Sequence, residues 1–351
     1  MSGGVDSSVA AALLADAGHD VIGVSMQLYD QTEGSRTFGS CCTIDDLHDA
    51  RRVAAAIGIP HYILNFERQF TEQVVSNFVS EYTAGRTPLP CAHCNGDLKF
   101  ATLAERARGF GADVVATGHY ARVERAPSGQ YLLKRGMDPS KDQSYFLFSL
   151  TQDQLAQAMF PVGDRPKDAV REYARARRLP VADKPDSQEI CFIPNNDYAS
   201  FVSTHAPDAA RDGAVVDEDG RVLGGHGGIH RFTIGQRKGL GIASPDGAPL
   251  YVLTLRPADQ QVVVGPKASL ERTTLEASGV NWMTGEPAGP IRVAAQIRHR
   301  HAAAPAMARS LGNGRAALVF DSPQIAVTPG QAVVFYDETD RDLVVGGGWI
   351  D

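Results

Sequence analysis

Along the first two hundred residues, short apolar runs alternate with stretches whose apolar positions recur every three or four residues. Residues 8–17 read as a helix stopped by Gly18, and residues 20–26 as a buried strand. Residues 45–57 give a second helix, stopped by Gly58 and leading into a strand-like run at 61–66. Residues 67–84, 97–108 and 112–117 continue the rhythm. Such alternation predicts a doubly wound, mostly parallel sheet with helices on both faces. Beyond Tyr198 the pattern changes. From about residue 213 glycines crowd together (Gly224, Gly225, Gly227, Gly228, Gly235, Gly239, Gly241), and residues 251–255 and 261–264 read as strands. A second β block starts near residue 275, with strands predicted at 291–297, 315–320, 331–336 and 343–346. Short strands punctuated by glycine and proline predict two small barrel-like domains. The expected division is 1–200, 201–270 and 271–351.

Composition narrows the class. At about 150 residues per domain, 351 residues leave room for two or three domains with real cores. A hydrophobic share of 43% with 21% charged residues excludes a disordered chain. The longest apolar runs, at 9–15 and 114–116, fall short of a membrane span, and no export leader is read before the first motif. The net charge of −7 argues against indiscriminate coating of nucleic acid, but leaves room for a local basic groove. Five cysteines in such a chain point to a reducing cytosol where thiols serve chemistry.

The first chemical motif is Ser2-Gly3-Gly4-Val5-Asp6-Ser7-Ser8. Adjacent glycines let backbone N–H groups converge on a phosphate, and the hydroxyls of Ser2, Ser7 and Ser8 add donors. The following helix turns its positive end toward the same anion. Asp6 has two readings, as a Mg²⁺ ligand or as a helix cap. The plainer alternative is a Gly-Gly turn ahead of a serine cap. No Gly-Lys-Ser/Thr follows, so this is not a Walker loop. Phosphate loops in α/β sheets leave the carboxyl end of a strand, and none precedes this one. We therefore expect either a start upstream of Met1 or a chain lacking its central strand and binding ATP weakly.

Three further segments carry thiols. In Thr87-Pro88-Leu89-Pro90-Cys91-Ala92-His93-Cys94-Asn95 the prolines set an extended approach, and a helix is predicted to begin at Asn95. A cysteine at a helix N-terminus has its thiolate favoured by the dipole. The C-x-x-C pair equally suits a zinc half-site, a redox pair or iron–sulfur ligation, although no second pair completes a zinc site. Cys191, between Ile190 and Phe192, reads in isolation as a core residue. Cys41-Cys42 reads as a packed loop.

These segments occur in one order with Ala116-Thr117-Gly118-His119-Tyr120-Ala121-Arg122, Lys141-Asp142-Gln143-Ser144-Tyr145-Phe146-Leu147 and Phe232-Thr233-Ile234-Gly235-Gln236-Arg237-Lys238-Gly239-Leu240-Gly241. Together they resemble the tRNA-specific 2-thiouridylase family over essentially the whole chain. The loop itself is similar to the SGGxDS pyrophosphate loop of the N-type ATP pyrophosphatases. The resemblance implies a PP-loop catalytic domain, a central small β-rich domain and a C-terminal tRNA-binding barrel. It implies ATP with Mg²⁺, held by Ser2, Gly3, Gly4, Val5, Asp6, Ser7 and Ser8, with Met26 and Gly118 bordering adenine and ribose. It also implies Cys94 as nucleophile and Cys191 as persulfide carrier, joined transiently in a disulfide. The wobble uridine of tRNA would be unstacked to reach them. Positions matching tRNA contacts are Leu89, Pro90, Cys91, His119, Lys141, Asp142, Gln143, Arg298, His299 and Gln331. The implied sulfur donor is a cysteine desulfurase or a sulfur-relay protein, and the implied location is cytoplasmic with no membrane partner.

Arg292, Arg298, Arg300, Arg309 and Arg315, with His299 and His301, give a basic stretch that reads either as a solvated face or as a phosphate-binding one. Arg165, Lys167, Arg171, Arg175, Arg177 and Arg178 form a second basic stretch. The chain departs from its family where Leu89-Pro90-Cys91 stands in place of the commoner Asn-Pro-Asp, removing an acid/base aspartate. Cys91, Cys94 and Cys191 thereby become an alternative ligand set for an iron–sulfur cluster. Two rival functions stay open: an amidating or ligating PP-loop enzyme, and a non-catalytic tRNA-binding protein with an impaired ATP site.

Overall fold

A computed structural model describes residues 1–29, 44–186, 190–243 and 247–351; Cys41, Cys42 and Ser187, Gln188 and Glu189 lie outside the described residues. The chain forms two compact units. One comprises Met1–Val74, Cys91–Asn196 and Asp342–Val344, the other Val75–Pro90, Asp197–Arg341 and Val345–Asp351.

In the first unit, helix α1 (Val5–Asp16) follows the glycine loop directly. Its alanines and leucines are strong helix formers, and it is apolar nearly all round because it is buried, with Val9 and Ala12 inaccessible to solvent. Helix α2 (Ile44–Ile57) is amphipathic by contrast, burying Asp46, Ala50, Val53 and Ala54 along one stripe. Strands β1 (Gly23–Gln27) and β2 (His61–Asn65) pair in parallel, with Met26 opposite Leu64. Further on come β3 (Val115–Ala116), the antiparallel hairpin β4 (Ala121–Arg125) and β5 (Tyr131–Arg135), and β6 (Ala158–Met159), which pairs in parallel with β3. The parallel arrangement expected from the sequence is present as two separate two-stranded sheets, β1–β2 and β3–β6. The glycine loop touches both. The Met1 amino group donates to the Val24 carbonyl within β1, and Gly118, just past β3, abuts the loop at Asp6 and Ser7.

The second unit is mostly β. Strands β7 (Gly213–Val216), β8 (Val222–His226), β9 (Tyr251–Arg256) and β10 (Gln261–Gly265) form a sheet in the order β8-β7-β10-β9. Strands β11 (Glu271–Trp282), β12 (Ile291–Gln296), β13 (Ala304–Gly312), β14 (Arg315–Ile325), β15 (Ala332–Asp337) and β16 (Val344–Ile350) close into a barrel in the order β11-β14-β13-β12-β15-β16. Alternate residues of these strands, including Val293, Ala295, Ala306, Ala308, Leu318 and Phe335, fill the interior. Closure gives each barrel strand a neighbour on both sides.

Candidate active site

At the loop, Gly3 has φ +70°, a conformation that glycine adopts without strain. A Cβ there would lie 2.3 Å from the Asp46 carbonyl oxygen, so the loop runs flush against the start of α2. Gly4 is the N-cap of α1 and supplies no side chain, leaving the first amides of the helix without a side-chain cap. Ser2 and Ser7 hydroxyls sit 3.1 Å apart at this mouth, while the Ser8 hydroxyl donates back to the Gly4 carbonyl at 2.8 Å. Glycine at 118 is equally dictated by space. A Cβ there would stand 2.5 Å from the Ser7 nitrogen and 2.6 Å from the Asp6 carbonyl carbon. An open, uncapped helix N-terminus reached through a glycine turn is an anion site in its own right.

Asp6 neither caps α1 nor offers an unengaged carboxylate. Its oxygens accept from the Lys167 ammonium at 2.7 and 2.8 Å, and one of them also accepts from the Tyr120 hydroxyl at 2.8 Å. Burial first, then the neighbouring Asp6 charge, push the Tyr120 phenol well up from its usual range. Three donors on one carboxylate leave little room for a metal ion. The two readings of Asp6 made from the sequence are therefore both replaced by a third, an ion pair with a buried lysine.

Cys94 sits differently from expectation. The helix begins at Pro90, where a missing N–H costs nothing, and runs as Pro90–His93 into a π-helix, Cys94–Thr102, and then Leu103–Arg108. Cys91 thus occupies the first turn and is exposed, whereas Cys94 is buried where the wider π turn opens. Widened turns of this kind cluster at functional sites. Buried Asn95 holds the segment through its amide, which donates to the Phe146 carbonyl at 3.2 Å, while Lys99 donates to its oxygen at 3.0 Å. This bond fastens the Cys-Asn motif to the Ser-Tyr-Phe motif. Cys191 is half-buried, and Cys91, Cys94 and Cys191 are all in the thiol state. Among the described residues, no group of three or more His, Cys, Asp or Glu side chains is gathered as a metal site.

Several positions expected to meet tRNA are engaged internally. Asp142, only 7% exposed, pairs with Arg135 at 2.9 Å and accepts from the Gly136 and Ser144 amides at 3.0 Å. Gln143 accepts from the Tyr120 amide at 3.0 Å through its side chain. His119 contacts the Thr117 hydroxyl at 2.7 Å and packs near Phe100 and Phe160; burial, then nearby Lys99, hold its imidazole well below its ordinary value, so it is neutral at pH 7. In the second unit, Gln331 donates to the Thr87 and Pro88 carbonyls at 3.1 and 3.2 Å, pinning the approach to the buried pair Leu89 and Pro90.

The basic stretches also divide. Arg292 forks between Asp321 at 2.7 Å and Glu338 at 3.1 Å, and Arg315 pairs with Glu276 at 2.6 Å. Arg298, His299 and Arg300 are exposed, and Arg298 uses one N–H on the Ile325 carbonyl at 3.2 Å. In the other stretch Arg171, Arg175 and Arg177 pair with Asp186, Asp183 and Asp16, so that helix is not a free cationic face. Sequence reasoning misses the role of Lys167, which it places as one surface charge among six. The available signal is a lysine at the first turn of an otherwise surface-patterned helix, which is too weak to act on alone.

Residues 1–195 match the family described as the tRNA methyl transferase HUP domain, residues 199–266 the tRNA methyl transferase PRC-barrel domain, and residues 272–350 the aminomethyltransferase beta-barrel domain. The chain is 51% identical to the tRNA-specific 2-thiouridylase MnmA of Geotalea uraniireducens, covering 100% of this chain and 93% of that one. It is 52% identical to the protein of the same name from Solibacter usitatus, covering 100% and 98%. The solved U34-tRNA thiolase NcsA from Methanococcus maripaludis, with its 4Fe–4S cluster, is 19% identical with a TM-score of 0.34 over 60% of this chain and 64% of that one, too loose a likeness to transfer the cluster.

Proposed function

Because the chain belongs to the tRNA-specific 2-thiouridylase family, we propose that it carries out ATP-dependent 2-thiouridylation of tRNA with the site just described. The observation that carries this reading is the uncapped start of α1 behind a glycine turn, backed at contact distance by Gly118. Residues 2–8 would hold the pyrophosphate of ATP through backbone amides and serine hydroxyls, with Met26 and Gly118 at the strand ends where α/β sheets take ligands. Mg²⁺ would accompany the triphosphate; Asp6, already accepting from Lys167 and Tyr120, does not fit as its ligand in this arrangement.

The chemistry follows from a poor electrophile. Oxygen at C2 of a uracil is a poor leaving group until ATP adenylates it and PPi departs. A persulfide on Cys191 then attacks C2, and AMP leaves with the oxygen. Cys94 attacks the Cys191 sulfur, releasing the C2 thiocarbonyl and leaving a Cys94–Cys191 disulfide for an external thiol to reduce. Buried Cys94 on its π turn and half-buried Cys191 support a division between a sheltered nucleophile and a loadable carrier. The donor of sulfur would be a persulfide-bearing desulfurase or relay protein. Arg298 and Arg300, with His299 between them, are the exposed basic side chains best placed for RNA phosphates, while Asp142, Gln143 and Gln331 would shape the surface that RNA meets. The described residues contain no helix long and apolar enough to cross a membrane.

The test is mass spectrometry of unmodified tRNA incubated with ATP, Mg²⁺, a persulfide donor and the protein. A gain of one sulfur for one oxygen at the wobble uridine, with stoichiometric AMP, is expected. Amidated product, or tRNA binding without PPi release, would overturn the reading in favour of a ligating enzyme or a non-catalytic binder.

A further inference from the structure

Residues 2–8 hold one carboxylate, Asp6. In a loop read as the seat of a triphosphate it is an awkward group, because a bare carboxylate repels the anion that the backbone amides and the start of α1 attract. The structure covers it. Both Asp6 oxygens accept from the Lys167 ammonium, at 2.7 and 2.8 Å, and one also accepts from the Tyr120 hydroxyl at 2.8 Å. The phenol is held far above its usual range, chiefly by burial and then by Asp6, so it keeps the proton that it donates.

Lys167 is placed against its own preferences. Its side chain is only 8% exposed, although lysine is rarely buried without a partner. It also stands in the first turn of the helix Lys167–Ala176, where the helix dipole disfavours a cation. The backbone fixes it there, since its amide donates to the Asp138 carboxylate at 2.9 Å. The ammonium reaches a second carboxylate, Asp186, at 2.9 Å, but Asp186 has two further cations, Lys141 at 2.8 Å and Arg171 at 2.7 Å. Among the described residues Lys167 is the one cation paired with Asp6. Without the lysine, Asp186 stays compensated and Asp6 does not.

We propose that Lys167 is a positioning residue for the nucleotide: by neutralising Asp6, with Tyr120 as second donor, it lets the loop take a polyphosphate without repulsion from the loop's own carboxylate. The inference rests on the reading that residues 2–8 hold the pyrophosphate of ATP. It assigns the aspartate of the motif to the protein rather than to the ligand. Paired with Lys167, Asp6 fastens the first turn of α1 to the helix Lys167–Ala176 and leaves the amides of that turn without a competing negative charge. The mark of such a role is that Lys167 matters only while residue 6 is charged.

The experiment uses the full chain and calorimetry with a non-hydrolysable ATP analogue plus Mg²⁺, with melting temperature and tRNA affinity as controls of folding. Lys167→Gln removes the charge but keeps a side chain that can donate to Asp6. It is expected to raise Kd about tenfold or more, the effect of one uncovered charge beside a polyanion at the dielectric of a protein surface. In an Asp6→Asn background the same change should raise Kd by less than about threefold, because the two residues act as a pair. Raising the ionic strength should shrink the loss, since the Asp6 side chain is 30% exposed and its repulsion is open to screening. Lys167→Arg, which keeps the charge, should recover most of the affinity. Should Lys167→Gln fail to fold, Tyr120→Phe carries the test. It removes the other donor on Asp6, and a loss of about threefold or more is expected in the parent background but not beside Asp6→Asn. No loss in Lys167→Gln, or an equal loss in the Asp6→Asn background, would overturn the proposal. A parent that binds no analogue would instead overturn the reading of residues 2–8 on which the proposal rests.

Discussion

Replacing Gly118 by alanine adds one methyl group where there is no space for it. The new Cβ would stand 2.5 Å from the Ser7 nitrogen and 2.6 Å from the Asp6 carbonyl carbon, and ordinary contact begins near 3.4 Å. The start of α1 must retreat by about 0.9 Å (3.4 − 2.5), because both obstacles are backbone and neither can swing aside. Overpacking of this order costs about 1–3 kcal/mol of stability. Its effect on nucleotide binding should be larger in proportion. A retreat of about 0.9 Å carries a hydrogen bond of ~2.9 Å out of useful range. One such bond to a charged phosphate is worth about 1.5–3 kcal/mol, which is roughly a 10- to 100-fold rise in Kd. Calorimetry with a non-hydrolysable ATP analogue measures this directly, and tRNA affinity on the same preparation controls for general damage. Binding of the analogue within about twofold of the parent would refute the reasoning, since the loop could not then be where the phosphates lie.

Other outcomes are expected at separate sites. Cys191→Ser should abolish sulfur incorporation while leaving ATP and tRNA binding near parental values; Cys94→Ser should load a persulfide on Cys191 but fail to release product, as intact-mass analysis would reveal. Replacing Arg298 and Arg300 together by alanine should make the log–log salt dependence of tRNA binding shallower by about 0.7–0.9 for each RNA phosphate no longer neutralised. Arg292→Ala, whose guanidinium is already engaged by Asp321 and Glu338, should leave that slope unchanged. Acid should destabilise the fold below about pH 6.5, because His61, His119, His226, His230 and His301 all resist protonation when folded, each chiefly through burial. Their depressed values mean the unfolded chain binds more protons there, so stability rises with pH through that window; a melting temperature unchanged between pH 7 and 5 would contradict this.

Periodicity locates most elements within a few residues, since apolar faces must be buried wherever they lead. Strands β9, β10, β12 and β15 fall almost where the alternation places them. The helix carrying Cys94 is expected from the sequence to begin at Asn95, yet it starts at Pro90 and widens into a π turn. Proline at a first helical position leaves the same trace in a sequence as proline in an extended approach, and the π geometry depends on how Asn95 reaches Phe146, fifty-one positions away. The loop is legible because its glycines are local necessities. Its partners are not, because a lysine 161 positions from Asp6 shows no sign in the sequence of which carboxylate it will meet. Charge runs mislead for the same reason: the pairing that neutralises Arg171 and Arg292 is made by acids distant in the chain.

The tract Asp342–Val344 ties the two units to one order of manufacture. It joins the first unit late, where Arg122 reaches Asp342 across 220 positions and the Arg135 amide donates to the Asp342 carbonyl at 2.8 Å. The residues immediately after it enter β16, whose arrival seals the barrel seam beside β11. On the ribosome, therefore, neither unit can finish until residues 342–350 have emerged. A nascent chain stalled short of them would carry an open barrel and a hairpin with one side exposed, two strand edges ready to pair with the wrong neighbour. Altering this stretch is thus an intervention in the nucleotide-binding unit as much as in the barrel, and a chain cut before residue 342 should be lost to aggregation before its chemistry could be measured.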